Sequence, residues 1–246
     1  MDKIVLSFIL ALLAGMVTAE EIVRSDNVIG VMAVQSEKTA TIVAVPFRDF
    51  DGGDLRLANL IKTANLTPGD RLYRYDPAKD GFDGWVLAAD ADGVLRWEKN
   101  EKVFRVGKSG ELTTDDGLDA NEVTAAQGSG VWLVRASAPS SPFVFYLQGS
   151  VSAAEAVTVE AGKVVLLGNP TDRSAAPTIT GMSNGDTVQL ATAGGLLNVY
   201  TYSTAKNQWG YWDADNRPVW VDSPMIPAGI GFWYVANGGD VTVEWK

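Results

Sequence analysis

Short runs of alternating hydrophobic and polar residues cover most of the chain, and glycine, proline, asparagine and aspartate separate one run from the next. Residues 28–34 and 41–45 are rich in β-branched side chains and predict the first two strands. Tyr73 and Tyr75 alternate with Arg74, which is the two-residue period of a strand that buries one face. The pattern therefore predicts a meander of short antiparallel strands joined by tight turns.

One aromatic segment occurs twice: residues 72–85 (LYRYDPAKDGFDGW) align without a gap with residues 199–212 (VYTYSTAKNQWGYW). Three further blocks recur in the same order, namely 40–47 with 163–171, 90–93 with 213–216, and 127–134 with 228–235. Four blocks in one order indicate two copies of one structural unit. We therefore predict an all-β protein of two tandem homologous antiparallel β units, 20–148 and 149–246, each a small sandwich or half-open barrel.

Two features distinguish the first predicted unit from the second. Asp54 is a suitable N-cap for one short helix that runs through Lys62. An insertion near 98–127 has no counterpart in the second unit. A polar excursion of this kind is usually a surface loop or an added hairpin.

Composition and charge exclude several classes of function. The 246 residues include 30 acidic and 20 basic side chains, for a formal net charge of −10. Lysine and arginine are not clustered, so we do not expect nucleic acid as a partner. The sequence has no cysteine and no histidine, which excludes disulfides, thiol nucleophiles and the commonest transition-metal ligand.

The N-terminal residues 1–19 predict a signal peptide. Lys3 precedes an apolar run over 4–16, and small residues come before the acidic Glu20. The run is shorter than the roughly 20 residues that span a bilayer. We predict cleavage after Ala19 and export to the periplasm, the cell surface or the extracellular space; the alternative is an N-terminal anchor that stays in place. No later stretch is apolar enough to cross a bilayer, so we do not expect the mature chain to span a membrane.

The repeated aromatic segments are the candidate binding site. Tyr73, Trp85, Tyr200 and Trp212 offer rings on predicted strands, and such rings can stack against sugars. The alternative is that these rings fill the core of a small β unit. Recurrence in both copies favours the core, because duplicated units retain packing more readily than a binding site.

A string of acidic residues is the candidate metal site. Asp49, Asp51 and Asp54 alternate with glycines and offer oxygen ligands for calcium, the one cofactor that the sequence suggests. The twelve-residue EF-hand form fails, because Leu60 stands where that loop needs a glutamate. The alternative is an ordinary turn, in which aspartate and glycine are favoured residues.

The recurring motifs resemble those of uncharacterised exported bacterial proteins with a duplicated β unit. Those proteins combine a strand ending in [NV]PF, a short helix, a GDxLYxY segment and a closing GxGFW strand. The matching stretches are 45–47, 69–75 and 128–132 in the first copy, and 169–170, 199–202 and 229–233 in the second. The second copy departs at Thr171 and carries an extra stretch at 187–197. The resemblance implies the fold and export, and it implies no activity.

The function that the sequence predicts is a non-catalytic structural or adhesive component of the cell surface or extracellular matrix. Its partners would be a surface protein, a glycan or further copies of the chain. The first alternative is a glycan-binding module that uses Tyr73, Trp85, Tyr200 and Trp212. The second is a carboxylate-based glycoside hydrolase, which is disfavoured because no carboxylate pair is marked by its setting as acid and partner.

Overall fold

The computed structural model of the chain describes residues 29–36, 40–56, 66–76, 81–89, 91–99, 103–104, 112–113, 124–137, 143–191 and 197–246. These residues form twenty β-strands and no helix, which confirms the prediction of an all-β protein. None of them belongs to a helix of the length and apolarity that a membrane crossing needs. The predicted signal peptide and most of the predicted insertion near 98–127 lie outside the described residues.

The first part of the chain contributes the strands β1 (Ile29–Ser36), β2 (Ala40–Ala44), β3 (Leu55–Arg56), β4 (Arg71–Asp76), β5 (Gly81–Ala89), β6 (Leu95–Lys99), β7 (Val103–Phe104), β8 (Leu112–Thr113), β9 (Thr124–Ala125), β10 (Gly130–Val134) and β11 (Phe143–Ser150). The second part contributes β12 (Val157–Val159), β13 (Val164–Gly168), β14 (Thr178–Thr180), β15 (Thr187–Ala191), β16 (Leu197–Ser203), β17 (Gln208–Trp212), β18 (Pro218–Val221), β19 (Gly231–Val235) and β20 (Val241–Glu244).

The described strands form two large sheets and four smaller ones. The first large sheet has the order β2-β10-β4-β5-β6, and the second has the order β13-β19-β15-β16-β17-β18. A ribbon, β1-β11, and a three-stranded sheet, β12-β20-β14, are the next in size, followed by the pairs β3-β9 and β7-β8. All strand pairs in the two large sheets are antiparallel. The order of each sheet is open, so none of these sheets closes on itself.

Each large sheet buries its inner face against a smaller sheet. Leu72 of the first large sheet packs in one cluster with Val34 of β1 and Leu147 of β11. Val188 of the second large sheet packs in another cluster with Val243 of β20. Every second residue of a strand faces this inner side, which is why the hydrophobic positions alternate in the sequence.

The outer faces of the two large sheets meet in a third apolar cluster, which we call the seam. The ring of Trp233 lies 5.2 Å from the ring of Tyr75 and 5.7 Å from that of Phe82, both edge-on. The seam consists of Ile42, Tyr73, Tyr75, Phe82 and Leu166, with Trp132, Val134, Val164 and Trp233 packed against them.

Backbone hydrogen bonds cross the seam in a reciprocal pattern. The N–H of Ala44 donates to the carbonyl of Gly229 at 2.9 Å, and the N–H of Gly168 donates to the carbonyl of Gly128 at 2.8 Å. The main chains can approach this closely because Gly168 has no side chain; a Cβ there would overlap the Cα and Cβ of Ala44.

The two large sheets share the order of their first five strands, but not in the register that the aromatic repeat predicts. Trp132 of β10 lies opposite Tyr73 of β4, and Trp233 of β19 lies opposite Gln189 of β15. β15 therefore takes the place of β4, and β16, which carries Tyr200, takes the place of β5. The gapless alignment of Tyr73 with Tyr200 is thus displaced by one strand. Neighbouring strands in both sheets carry aromatic residues at similar spacing along the sequence. A sequence alignment of the aromatic residues alone therefore does not establish which strands correspond.

The short helix predicted from Asp54 is not found where it should begin. Leu55 and Arg56 form β3 and pair with β9, and the side chain of Leu55 is buried in the first core. Pairing with a distant strand gives this backbone its hydrogen bonds and overrides the local capping signal. Residues 57–62 of the predicted helix lie outside the described residues.

Candidate functional site

The structure does not bring together the four rings that the sequence proposes as a binding platform. Trp85 is 1% exposed in the first core, and Tyr73 is 6% exposed in the seam. Neither ring therefore offers a face to solvent. Both faces of the first large sheet are covered at these positions, so Tyr73 and Trp85 are packing residues in this structure.

Tyr200 lies on the inner face of the second large sheet. Its ring packs against the second core and lies 4.8 Å from the ring of Tyr211. Burial raises the pKa of Tyr200, and the neighbouring hydroxyl of Tyr211 raises it further. Tyr200 is therefore a half-buried packing residue and not part of an open platform.

Trp212 is the one member of the predicted set that the structure leaves largely in solvent, with 65% of its surface exposed. It lies on the outer face of β17, opposite Pro218 of β18. Trp220 of β18 lies opposite Gly210 of β17 and is 37% exposed. Residues directly opposite one another on antiparallel strands share a face, so both indoles stand on the same side of this hairpin.

The two indoles border an open groove of about 380 Å³, which we call the tryptophan groove. Strands β16, β17 and β18 supply most of its wall. Its lining residues are Asn184, Gly185, Val199, Thr201, Tyr202, Ser203, Gly210, Tyr211, Trp212, Pro218 and Trp220. A concave surface with aromatic walls and a few polar groups is the usual form of a small-molecule site.

Gly210 forms the floor of the groove beneath Trp220. A Cβ on Gly210 would lie 2.8 Å from Cζ3 and 2.9 Å from Cη2 of the Trp220 indole. The indole therefore lies flat across the backbone of Gly210. The backbone of Gly210 covers one face of this ring, and Trp212 is the more exposed indole of the pair.

The turn between β16 and β17 places Lys206 at the mouth of the groove. The Lys206 ammonium lies 4.4 Å from the centroid of the Trp220 ring, within the range of a cation–π contact. Asn207 adopts the left-handed conformation with φ of 54°, and its Oδ1 accepts a hydrogen bond of 2.6 Å from the hydroxyl of Tyr202. The backbone N–H of Thr204 donates to Oδ1 of Asn184 at 3.3 Å. These contacts fix the turn that carries the lysine.

The carboxylates beside the groove already have partners. Arg217 contacts Asp213 at 3.1 Å and Asp215 at 2.6 Å across the turn between β17 and β18. Asp222 accepts a hydrogen bond of 3.1 Å from the side-chain amide of Gln208. No carboxylate belongs to the described lining of the groove.

The acidic loop predicted as a calcium site is built as a turn. Asp49 is buried, and its Oδ2 lies 2.6 Å from Nε of Arg56. Asp51 accepts a hydrogen bond of 3.0 Å from the N–H of Gly53, and Asp54 is exposed. The hydrogen bond from Arg56 lowers the pKa of Asp49, and burial opposes this shift. No group of three ligating side chains forms among the described residues, and the calcium site stays a prediction.

Comparison with known proteins does not add a family to this description. No protein-family model matches the chain, and neither the curated proteins nor the solved structures include a match. The resemblance of the motifs to exported bacterial proteins accordingly stays a prediction.

Sequence reasoning identified Trp212 but not Trp220, Lys206 or Gly210 as parts of this site. One signal was available in the spacing of the rings. Trp209 and Trp212 are three residues apart, so on one strand they must face opposite sides. The structure buries Trp209 in the second core and exposes Trp212.

Proposed function

We propose that the chain is an exported, non-catalytic carbohydrate-binding protein with an adhesive role, and that a glycan binds in the tryptophan groove. The observation that carries this proposal is the pair of exposed indoles, Trp212 and Trp220, on one face of the outer hairpin. Soluble proteins rarely leave such large apolar side chains together in water unless they serve an interaction. The apolar face of a sugar ring is a suitable partner for a flat indole.

The chemistry of the groove favours binding over catalysis. Its described lining offers hydroxyl and amide groups from Ser203, Thr201 and Asn184, which can hydrogen-bond to sugar hydroxyls. It offers no carboxylate pair, which the glycoside hydrolase alternative requires. The adhesive role predicted from the sequence is compatible with such a site.

A glycan array followed by titration calorimetry with the exported chain tests this proposal. We expect saturable binding that weakens roughly 30-fold in Trp212→Ala and in Trp220→Ala, since an indole at the centre of an interface typically contributes about 2 kcal/mol. Met225→Ala is the matched control, because Met225 is an exposed apolar side chain outside the groove lining. All three variants should melt within a few degrees of the parent. Absence of saturable binding by the parent, or unchanged binding in both tryptophan variants, would contradict the proposal.

A second candidate function is structural self-association through the β1-β11 ribbon. Its strands contain no charged residue, and Val31 is 66% exposed on the outer face beside Ile29 and Tyr146. Long uncharged edge strands tend to pair with further copies of the same chain. In a chain with a net charge of −10, an uncharged ribbon is where two copies repel each other least.

Sedimentation of the parent and of Val31→Lys tests this second candidate. Concentration-dependent assembly that the lysine abolishes would support a structural role. A monomeric parent at high protein concentration would exclude it and leave the glycan proposal unaffected.

We also propose that the two halves arose by tandem duplication. The shared order of the first five strands and the reciprocal seam hydrogen bonds, Ala44 to Gly229 and Gly168 to Gly128, support this origin. Sequences of related proteins aligned half against half should keep these four positions matched. A best alignment that matches β4 with β16 in most of them would contradict the correspondence drawn here.

A further inference from the structure

Among the described residues, no carboxylate forms an ion pair with Lys206. Its contact is with the face of Trp220. The acidic groups on the same hairpin are engaged elsewhere, since Asp213 and Asp215 both contact Arg217. The mouth of the groove therefore presents a cation in a protein that is acidic as a whole.

Lys206 is also held in place more firmly than a lysine on a free loop. The Tyr202 hydroxyl bonds to the side chain of Asn207, and the backbone N–H of Lys206 donates to the carbonyl of Ser203 at 3.2 Å. A fixed turn reduces the entropy lost when a ligand binds, so the ammonium is ready to contact an anion.

From this arrangement we propose that the tryptophan groove prefers glycans that contain uronic acid residues. The carboxylate of the sugar contacts the Lys206 ammonium, which lies over Trp220, while the ring of the sugar, or that of its neighbour, stacks on the more exposed Trp212. This inference rests on the glycan-binding function proposed above and adds the charge of the ligand to it. A neutral glycan would use the same indoles without the ionic contact.

Charge complementarity makes this preference local to the groove. Ionic attraction between exposed groups is screened beyond about 8 Å at physiological salt, so carboxylates elsewhere on the protein oppose the ligand only weakly. A charge pair in contact at the rim of a groove is screened less and gains as water leaves. The preference should therefore be moderate and should decrease as salt is added.

The test compares two probes that differ mainly in charge: an oligogalacturonate and its fully methyl-esterified form. Calorimetry with the full chain should show that the acid binds roughly five- to tenfold more tightly than the ester at low salt. In Lys206→Met, which keeps the apolar stem of the side chain, the two probes should bind equally. Lys163→Met is the matched control, because it removes an exposed lysine next to β13, at the opposite edge of the sheet.

The outcomes separate this inference from the function on which it rests. Equal binding of acid and ester by the parent, or a preference that persists in Lys206→Met, would overturn the uronic acid inference alone. In that case tryptophan-dependent binding of neutral glycans would still support the groove. Binding of neither probe, together with a blank glycan array, would overturn both. Loss of the preference in Lys163→Met as well would show that net charge, and not Lys206, sets it.

Discussion

The outer faces of the two large sheets carry similar aromatic side chains with opposite outcomes. On the first sheet Tyr75 and Phe82 are buried because Trp233 of the second sheet covers them, and Tyr73 is buried beside them against Phe82 and Trp132. On the second sheet the face extends past the seam onto β17 and β18, where Trp212 stays exposed. An aromatic residue on either outer face is therefore buried where the other sheet covers it and exposed where it does not. Its neighbours in the sequence do not decide between the two.

The two sheets also share a buried aspartate that accepts hydrogen bonds from two backbone N–H groups, and we call this arrangement the bracket. Asp70 accepts hydrogen bonds from the N–H groups of Thr67 and Ala136, at 2.9 Å and 2.8 Å. Asp186 accepts the equivalent bonds from Ser183 and Asn237, at 2.9 Å and 2.7 Å.

The bracket differs between the sheets in one partner. Arg135 lies 2.8 Å from Asp70, whereas the Tyr234 hydroxyl donates to Asp186 at 3.0 Å. Burial raises the pKa of Tyr234, and the carboxylate of Asp186 raises it further, so the hydroxyl stays a donor. Each bracket links the start of one strand to the end of its neighbour: β4 to β10 in the first sheet, and β15 to β19 in the second.

The largest expected effect is the loss of this bracket. Asp186→Ala should lower the free energy of unfolding by about 3–5 kcal/mol, because it leaves two backbone N–H groups and one hydroxyl without partners in a buried site. Asp70→Ala should cost a similar amount, because it also removes the ion pair with Arg135. Denaturant titration followed by tryptophan fluorescence measures both.

Asp215→Ala is the control for the bracket variants, since its side chain is 70% exposed and should change the stability by less than about 0.5 kcal/mol. A cost below about 1 kcal/mol for Asp186→Ala, set against a large cost for Asp70→Ala, would break the equivalence of the two brackets.

An intermediate effect is expected where the two outer faces meet. Trp233→Ala should destabilise the protein by about 2–4 kcal/mol, because it opens a cavity between Tyr75 and Phe82 in the seam. Trp212→Ala should change the stability by less than about 0.5 kcal/mol, since this indole is mostly in water. Equal losses of stability in Trp233→Ala and Trp212→Ala would contradict the difference between a covered and an exposed face.

A smaller effect than at the bracket or the seam is expected at the acidic loop of the first half. Arg56 lowers the pKa of Asp49 below its ordinary 3.8, so the ion pair stabilises the fold above about pH 4 and loses this contribution as the pH falls through the lowered value. Asp49→Asn should lower the stability only modestly at pH 7, because the Arg56 side chain is exposed and solvent screens the ion pair. The stability of this variant should also depend less on pH below 4, which thermal unfolding at stepped pH measures.

Calcium gives the loop a separate test. With Asp49 bonded to Arg56, millimolar calcium and a chelator should leave the melting temperature of the parent unchanged. A rise with calcium that disappears in Asp49→Asn would favour the metal site predicted for Asp49, Asp51 and Asp54.

The fold class could be predicted from the sequence because a period of two residues is a local property of each strand. The alternation around Tyr73 is enough to identify β4 as a strand, but β4 buries both faces, with Leu72 in the first core and Tyr73 in the seam. The matching of strands between the two sheets could not be predicted in the same way, since it depends on which distant strand pairs with Trp132 or Trp233. Several neighbouring strands carry alternating aromatic residues. The alignment of Tyr73 with Tyr200 matches these aromatic residues, but it does not match the strands that pair with β10 and β19.

The candidate site was predictable only in part for a related reason. Trp212 was identified by its ring, but its exposure depends on the outer face extending past the seam, where no described strand covers it. The sequence block around Trp220 aligns with the one around Trp97, which is buried in the first core. Lys206 could not be assigned because its contact with Trp220 arises only once β16, β17 and β18 are paired.

Gly210, on which the indole of Trp220 rests, restricts where the groove can change during evolution. Its floor is main chain, so no side chain there can be altered to suit a different ligand, and any residue larger than glycine would lift the ring. Changes in ligand preference must therefore accumulate on the walls, at positions such as Val199, Thr201 and Pro218. The stacking surface would stay constant while its selectivity diverged from one descendant to the next.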